Sequence, residues 1–114
     1  MAVETSILKS IRQRIGPSAQ YDAFDTDIIV LINSAFSRLC QLGVGPEEPF
    51  RVIDATQKWD EFMDDGHLEE IKDYVYLSVK LTFDPPTNGN VLSAYQEKIK
   101  QYEYILRDFE HYGY

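Results

Sequence analysis

The stretch "LTFDPPTNGNV", residues 81 to 91, separates two apolar segments in the C-terminal half of the chain. Two consecutive prolines cannot lie inside a helix, and the residue before a proline is pushed towards extended geometry. Asp84 can accept hydrogen bonds in a turn, and Gly89 tolerates backbone angles that other residues avoid. We therefore expect a turn here, with the flanking segments packed against each other as a hairpin.

The segment before the turn, residues 67 to 83, is compatible with two interpretations. Apolar residues alternate from Val75 to Phe83 as they would in a strand, whereas those from Leu68 to Val79 follow helical spacing. A run of about 17 residues without an internal break is long for a strand, so the length favours a helix. A helix that is apolar on two faces is buried on most sides, and we predict that it is the central helix.

The segment after the turn, residues 91 to 111, carries apolar and aromatic residues at alternating spacings of three and four. This pattern predicts a long helix with one packing seam. Asn88 or Asn90 can cap its start, and Glu103 with Arg107 is expected to form an exposed ion pair. The seam consists of Leu92, Tyr95, Ile99, Tyr102, Leu106 and Phe109.

The N-terminal half predicts shorter helices. Residues 4 to 15 form one that ends at Gly16-Pro17, and Asp25 or Thr26 caps a second that ends near Gly43. After a loop, "FRVID" could form a brief extended piece. Thr56 could cap a short helix that carries Trp59, Phe62 and Met63, and Asp64-Asp65-Gly66 signals a turn.

Together these segments predict an all-α fold, a small bundle of about four to five helices with a long C-terminal helical hairpin that turns at Asp-Pro-Pro. With 114 residues in the chain, we expect a single domain over residues 1–114.

The sequence offers no catalytic constellation. It lacks a glycine-rich phosphate loop and a G-x-S-x-G elbow, and its one cysteine, Cys40, is best interpreted as a small buried hydrophobe. His67 and His111 are far apart in sequence and do not suggest a metal site. No apolar run approaches the roughly 20 residues that cross a bilayer. We expect no enzyme activity, cofactor, metal or membrane contact.

The charge disfavours DNA binding. The formal net charge is −8, from 19 acidic and 11 basic residues, whereas proteins that bind nucleic acid neutralise phosphates with a basic patch. Lys9, Arg12 and Arg14 form the only basic cluster. They could contact DNA or an acidic protein surface, or form an ordinary solvated face.

Tyrosine is frequent, with eight in the chain. Tyr104, Ile105 and Tyr112 form a strip beside the seam of the last helix. Tyrosine suits interfaces because it combines an apolar ring with a polar tip. The strip either covers the local core or, if it is exposed, is a candidate surface for a partner.

The order of "INSAFSRLCQLGVG", "WDEFMDD" and "YVYLSVKLTFDPPTN" resembles the small head–tail connector proteins of long-tailed bacteriophages and prophages. The resemblance covers roughly residues 25 to 109, so the N-terminal helix lies outside it. It implies a structural adaptor ring between the portal of the head and the tail, which extends the DNA channel and lets DNA pass without specific binding.

The resemblance also implies partners and a location. The partners are the portal protein, the next connector or tail-completion protein, and further copies of the chain. The location is the head–tail junction of the virion, and the host cytoplasm during assembly. The exposed turn Asp84, Pro85, Pro86 and Thr87 is then a candidate docking element. Two alternatives remain open: a non-ring helical adaptor or regulator in phage morphogenesis that binds one protein partner, and a helical DNA-binding regulator.

Overall fold

The computed structural model describes residues 5–19, 22–46, 48, 50–62 and 67–112, except for the side chains of 18, 22 and 108–112. Within these residues the chain forms five α-helices and no strand, which confirms the predicted all-α bundle. The helices are α1 (Ile7–Ile15), α2 (Asp25–Gln41), α3 (Trp59–Phe62), α4 (Leu68–Phe83) and α5 (Gly89–Tyr112). Two short 3-10 turns, Pro17–Ala19 and Asp22–Phe24, connect α1 to α2.

The central helix is α4, as its apolar pattern predicts. Ile71, Val75 and Val79 are fully buried, and α1, α2 and α5 all pack against α4. The buried side chains that the structure describes form one hydrophobic cluster with members from every helix. The strand interpretation of residues 67–83 is wrong, since the segment is helical. The alternating pattern arises because a helix that is covered on several sides also has apolar residues at alternating positions.

The C-terminal hairpin is confirmed, since α5 folds back along α4. Leu106 of the predicted seam is buried, and Tyr95, Ile99 and Tyr102 are partly buried against the same cluster. The side chain of Phe109 lies outside the described part of the chain. The helix begins as predicted, because Asn88 Oδ1 accepts hydrogen bonds from the backbone N–H groups of Asn90 and Val91 at 2.8 and 3.2 Å.

The two N-terminal helices end at glycines. Gly16 ends α1 with a φ of 99°, and Gly43 follows α2 with a φ of 84°. At the end of α2, the backbone N–H of Val44 donates to the carbonyl of Leu39 at 2.9 Å and that of Gly43 donates to Cys40 at 3.0 Å. This pair of bonds is a Schellman motif, in which the left-handed residue is usually glycine.

The predicted cap of α2 is wrong. Phe24 occupies the N-cap position and its side chain makes no capping hydrogen bond, while Asp25 and Asp27 lie inside the first turn. The acidic side chains there still interact favourably with the positive end of the helix dipole. The preceding 3-10 turn shifts the helix start by one residue, which the sequence does not signal.

The stretch Phe50–Ile53 stays outside regular structure because its backbone groups bond to side chains. Asn33 of α2 donates from Nδ2 to the Val52 carbonyl at 3.0 Å and accepts from the Val52 N–H at 2.7 Å. Gln57 Oε1 accepts from the Ile53 N–H at 2.8 Å. These contacts fasten the loop to α2 and bury Val52.

The short helix α3 is present, but Thr56 does not cap it. The Thr56 hydroxyl donates to Asp54 Oδ1 at 2.6 Å. At the helix start, Glu61 Oε1 accepts from the backbone N–H of Lys58 at 3.0 Å, which is the carboxylate half of a capping box. The predicted turn at Asp64-Asp65-Gly66 lies outside the described residues, as does Met63, which the sequence predicts to belong to this helix.

Candidate interaction surfaces

The Asp-Pro-Pro turn is compact and partly exposed. The backbone N–H of Asp84 donates to the carbonyl of Lys80 at 3.0 Å, and its carboxylate accepts from Lys80 Nζ at 3.1 Å. Pro85 and Thr87 are exposed, whereas Asp84 and Pro86 are partly buried. The predicted turn therefore presents two of its four candidate residues to solvent.

The outer face of α5, formed by Lys100, Tyr104 and Arg107, is exposed, and so is Ile105 on the neighbouring side of the helix. Tyr104 is 61% exposed and Ile105 is 41% exposed, so neither ring nor alkyl chain serves mainly to cover the core. The Arg107 guanidinium carbon lies 5.6 Å from the centroid of the Tyr104 ring, within cation–π range. The side chain of Tyr112, the third predicted member of the strip, lies outside the described part of the chain.

The basic cluster on α1 is largely engaged within the chain. Arg12 Nε donates to the Ala19 carbonyl at 3.0 Å and lies 3.4 Å from Asp25 Oδ1. Arg14 pairs with Asp73 at 2.8 Å and its guanidinium stacks 3.9 Å over the Tyr76 ring. Lys9 is exposed. Two of the three predicted contact residues are therefore paired with carboxylates of the same chain.

A polar arrangement that the sequence prediction missed joins α4 to α5. The Tyr74 hydroxyl donates to Glu103 Oε2, and the Tyr102 hydroxyl donates to Asp73 Oδ2, both at 2.6 Å. Each helix thus supplies one tyrosine and one carboxylate from neighbouring positions. We call these four residues the tyrosine–carboxylate exchange. Its sequence signal is the pair Asp-Tyr on α4 and the reversed pair Tyr-Glu on α5.

An arginine from another helix completes each half of the exchange. Arg14 of α1 binds Asp73, and Arg38 of α2 binds both oxygens of Glu103 at 3.3 Å. Glu103 therefore faces α4 and α2 rather than pairing with Arg107, so the prediction of an exposed pair is wrong. Four helices meet at these two carboxylates.

The exchange changes the pKa values of its members. Partial burial opposes ionisation of Glu103, but hydrogen bonds from Tyr74 and Arg38 outweigh it and lower its pKa. The pKa of Asp73 is lowered in the same way, as bonds from Tyr102 and Arg14 overcome burial. Burial and the bond to Asp73 raise the pKa of Tyr102 to about 12, and burial with the bond to Glu103 raises that of Tyr74 further.

A groove of about 710 Å³ runs beside α1 and α4 and ends at Tyr102 of α5. We call it the α1–α4 groove. Trp59 contributes apolar surface, and its indole N–H donates to Ser10 Oγ at 2.8 Å. Within the described residues, the Oε2 atom of Glu70 is buried here and has no hydrogen-bond partner. Sequence patterns did not single out Glu70.

Other site chemistry is not found in the described part of the chain. No group of three or more histidine, cysteine, aspartate or glutamate side chains is placed there to hold a metal ion. Among the helices that the structure describes, none combines the length and apolar character of a membrane span.

The fold is that of a small all-α bundle. The sequence model of the phage connector protein family matches residues 7–112, and the chain belongs to this family. The match includes α1, whereas the resemblance seen in the sequence covered only about residues 25 to 109. The chain is accordingly a phage structural protein of head–tail joining, and its family is not an enzyme family. Searches of curated proteins and of solved structures give no match.

Proposed function

We propose that this protein is a single-domain adaptor that assembles as a ring between the portal of the head and the tail, where it extends the channel for DNA. The observation that carries the proposal is the exposed outer face of α5 and the neighbouring Ile105, with Tyr104 and Ile105 open to solvent on a chain of the connector family. Exposed aromatic and arginine side chains favour protein contact.

The charge supports the channel role. A net charge of −8 repels phosphates, so DNA can slide past without being held. Arg12 and Arg14 are engaged with Asp25 and Asp73, which leaves less of the α1 cluster for phosphate contacts. This arrangement counts against a DNA-binding regulator.

The Asp-Pro-Pro turn supports a docking role at one end of the ring. It projects between two long helices, and Pro85 and Thr87 are exposed. A turn held by prolines loses little conformational entropy on binding. We propose that this turn, residues 84–87, contacts the portal protein or the next tail component.

The test is deletion of the gene from the phage or prophage that encodes it, followed by electron microscopy of the particles. We expect heads filled with DNA but without tails, together with free finished tails, and restoration of complete virions by the plasmid-borne gene. Normal virions from the deletion would refute the proposal. Three-dimensional reconstruction of complete virions would separate a ring from a single-copy adaptor.

A further inference from the structure

We infer that neighbouring subunits join through the α1–α4 groove of one copy and the outer face of α5 of the next, with Arg107 donating to Glu70. This inference rests on the proposed ring and names its contact surfaces.

The groove holds a carboxylate that lacks a counterpart. Asp73 is bound by Arg14 and Tyr102 at 2.8 and 2.6 Å, and Lys72 lies 3.5 Å from Glu69. These pairs account for the two cations that line the groove. Glu70 remains: the residue is half-buried, and its Oε2 atom accepts no hydrogen bond from the described residues. A half-buried carboxylate with an unpartnered oxygen favours an incoming cationic donor.

The outer face of α5 carries such donors on a chain that is acidic as a whole. Arg38, Lys100 and Arg107 surround Tyr104 in a shallow groove between α2 and α5. Arg38 is bound to Glu103, which leaves Lys100 and Arg107 to face solvent. Arg107 suits an interface best, because its planar guanidinium can bind a carboxylate through two parallel bonds while it stacks on an aromatic ring.

The two surfaces lie on opposite sides of α5. Arg107 therefore cannot reach Glu70 of its own chain, and the contact has to form between two copies. Tyr102 lines the α1–α4 groove, and Tyr104, two residues further on, is turned by about 200° around the helix. A contact between different faces of successive subunits is heterologous, and it closes into a ring when the rotation allows. A two-fold dimer would need both surfaces on one side.

The size of the groove fits the insertion of side chains. Its volume of about 710 Å³ lies within the range of pockets that take a compact ligand, roughly 300–1,000 Å³. Ile11 and Trp59 line the groove, although both are almost fully buried, so they offer the Tyr104 ring a small apolar contact area. The occupant we assign is therefore Tyr104 with Arg107 of the adjacent copy.

A charge swap tests this contact in the deletion phage, complemented by plasmid-borne variants. Glu70→Arg and Arg107→Glu should each lower the yield of complete virions by about tenfold or more, because like charges then face each other across the interface. The double variant restores the attraction in reverse and should recover most of the wild-type yield. Glu48→Arg, an equal charge change at an exposed loop position that lines neither groove, is the matched control and should complement normally.

The outcomes separate the two proposals. Normal virions without any plasmid would refute the head–tail role itself. Wild-type yields from both single variants, or single losses that the double variant does not rescue, would overturn the Glu70–Arg107 contact and leave that role intact. Circular dichroism melting of each variant identifies any that fail to fold. If a charge-swap variant does not fold, a second variant replaces it: Glu70→Cys with Arg107→Cys in a Cys40→Ser background. This variant should form disulfides between subunits in virions, and the absence of these disulfides would also overturn the contact.

Discussion

The Tyr74 hydroxyl donates a hydrogen bond of 2.6 Å to Glu103, and this bond links the centre of the bundle to its last helix. Tyr74 is buried, while Glu103 also binds Arg38 of α2. The matching bond from Tyr102 to Asp73 runs in the opposite sense between the same two helices. A hairpin held at its apolar seam alone could slide or rotate, whereas the tyrosine–carboxylate exchange fixes its register.

Tyr74→Phe should destabilise the protein by about 1–3 kcal/mol, since it removes a buried hydrogen bond to a charged acceptor. The measurement is the free energy of unfolding from urea titration followed by circular dichroism. Tyr104→Phe is the matched control, because Tyr104 is mostly exposed, and it should change the free energy by less than about 0.5 kcal/mol. Equal effects of the two substitutions would show that the bond to Glu103 does not stabilise the fold.

The exchange should also set how stability depends on pH. The pKa values of Asp73 and Glu103 are lowered in the folded chain, so the unfolded state binds more protons in acid. Their contribution is present above the unfolded carboxylate pKa of about 4 and is lost as the pH falls through the lower folded values. Tyr102 has a pKa raised to about 12, so its contribution is full below the unfolded value near 10 and is lost as the pH rises towards the folded one.

Urea unfolding between pH 3 and pH 11 should therefore give a plateau that falls at both ends. Glu103→Gln should reduce the acid slope, because one of the two lowered carboxylates is gone. Tyr102→Phe should reduce the alkaline slope. An unchanged acid slope in Glu103→Gln would contradict the lowered pKa of Glu103.

Gly45→Ala should be more costly than a glycine substitution that only strains the backbone. Gly45 has a φ of 88°, and a Cβ atom there would lie 2.6 Å from the ring of Phe62. That ring is held by Phe36 and Phe50, with centroids 4.7 and 5.6 Å away, so it cannot easily move. We expect a loss of about 2 kcal/mol or more, from positive φ and a packing clash together.

Gly43→Ala is the control for this prediction. Gly43 has a similar φ of 84° but nothing within 4 Å of an added Cβ, so only the backbone strain of roughly 1 kcal/mol applies. Thermal or urea unfolding of both variants gives the comparison. A loss at Gly45 no larger than that at Gly43 would mean that Phe62 moves aside at little cost.

The sequence predicts helices better than it predicts contacts between them. The apolar stripes of α4 and α5 are set by the helical period, and Pro85 and Pro86 end the helix by covalent geometry, so both features follow from residue type alone. The partners of Glu103, by contrast, come from Tyr74 and Arg38, which are 29 and 65 positions away. A local pattern assigned Glu103 to Arg107 because side chains four apart on a helix can always meet.

In the candidate surfaces, too, exposure could be predicted from the sequence, whereas contacts between helices could not. Exposure of Tyr104 follows from its place beside the seam, two residues from Tyr102. The engagement of Arg14 does not, because it depends on how α1 crosses α4 and brings Asp73 within reach. Glu70 is equally hidden in the sequence, since a carboxylate without a partner is a property of the packed structure.

Replacing Pro85 and Pro86 together by glycine separates the structural role of the turn from its proposed docking role. The substitution raises the conformational entropy of the unfolded chain and should therefore lower the free energy of unfolding by about 1–2 kcal/mol. If the turn docks on a partner, the yield of complete virions in the complemented deletion phage should fall well beyond what this loss of stability produces. Gly43→Ala, which destabilises the chain at a site distant in sequence from the turn, supplies the reference for stability alone. Equal virion yields from the two variants at similar stability would assign residues 84–87 a purely structural role.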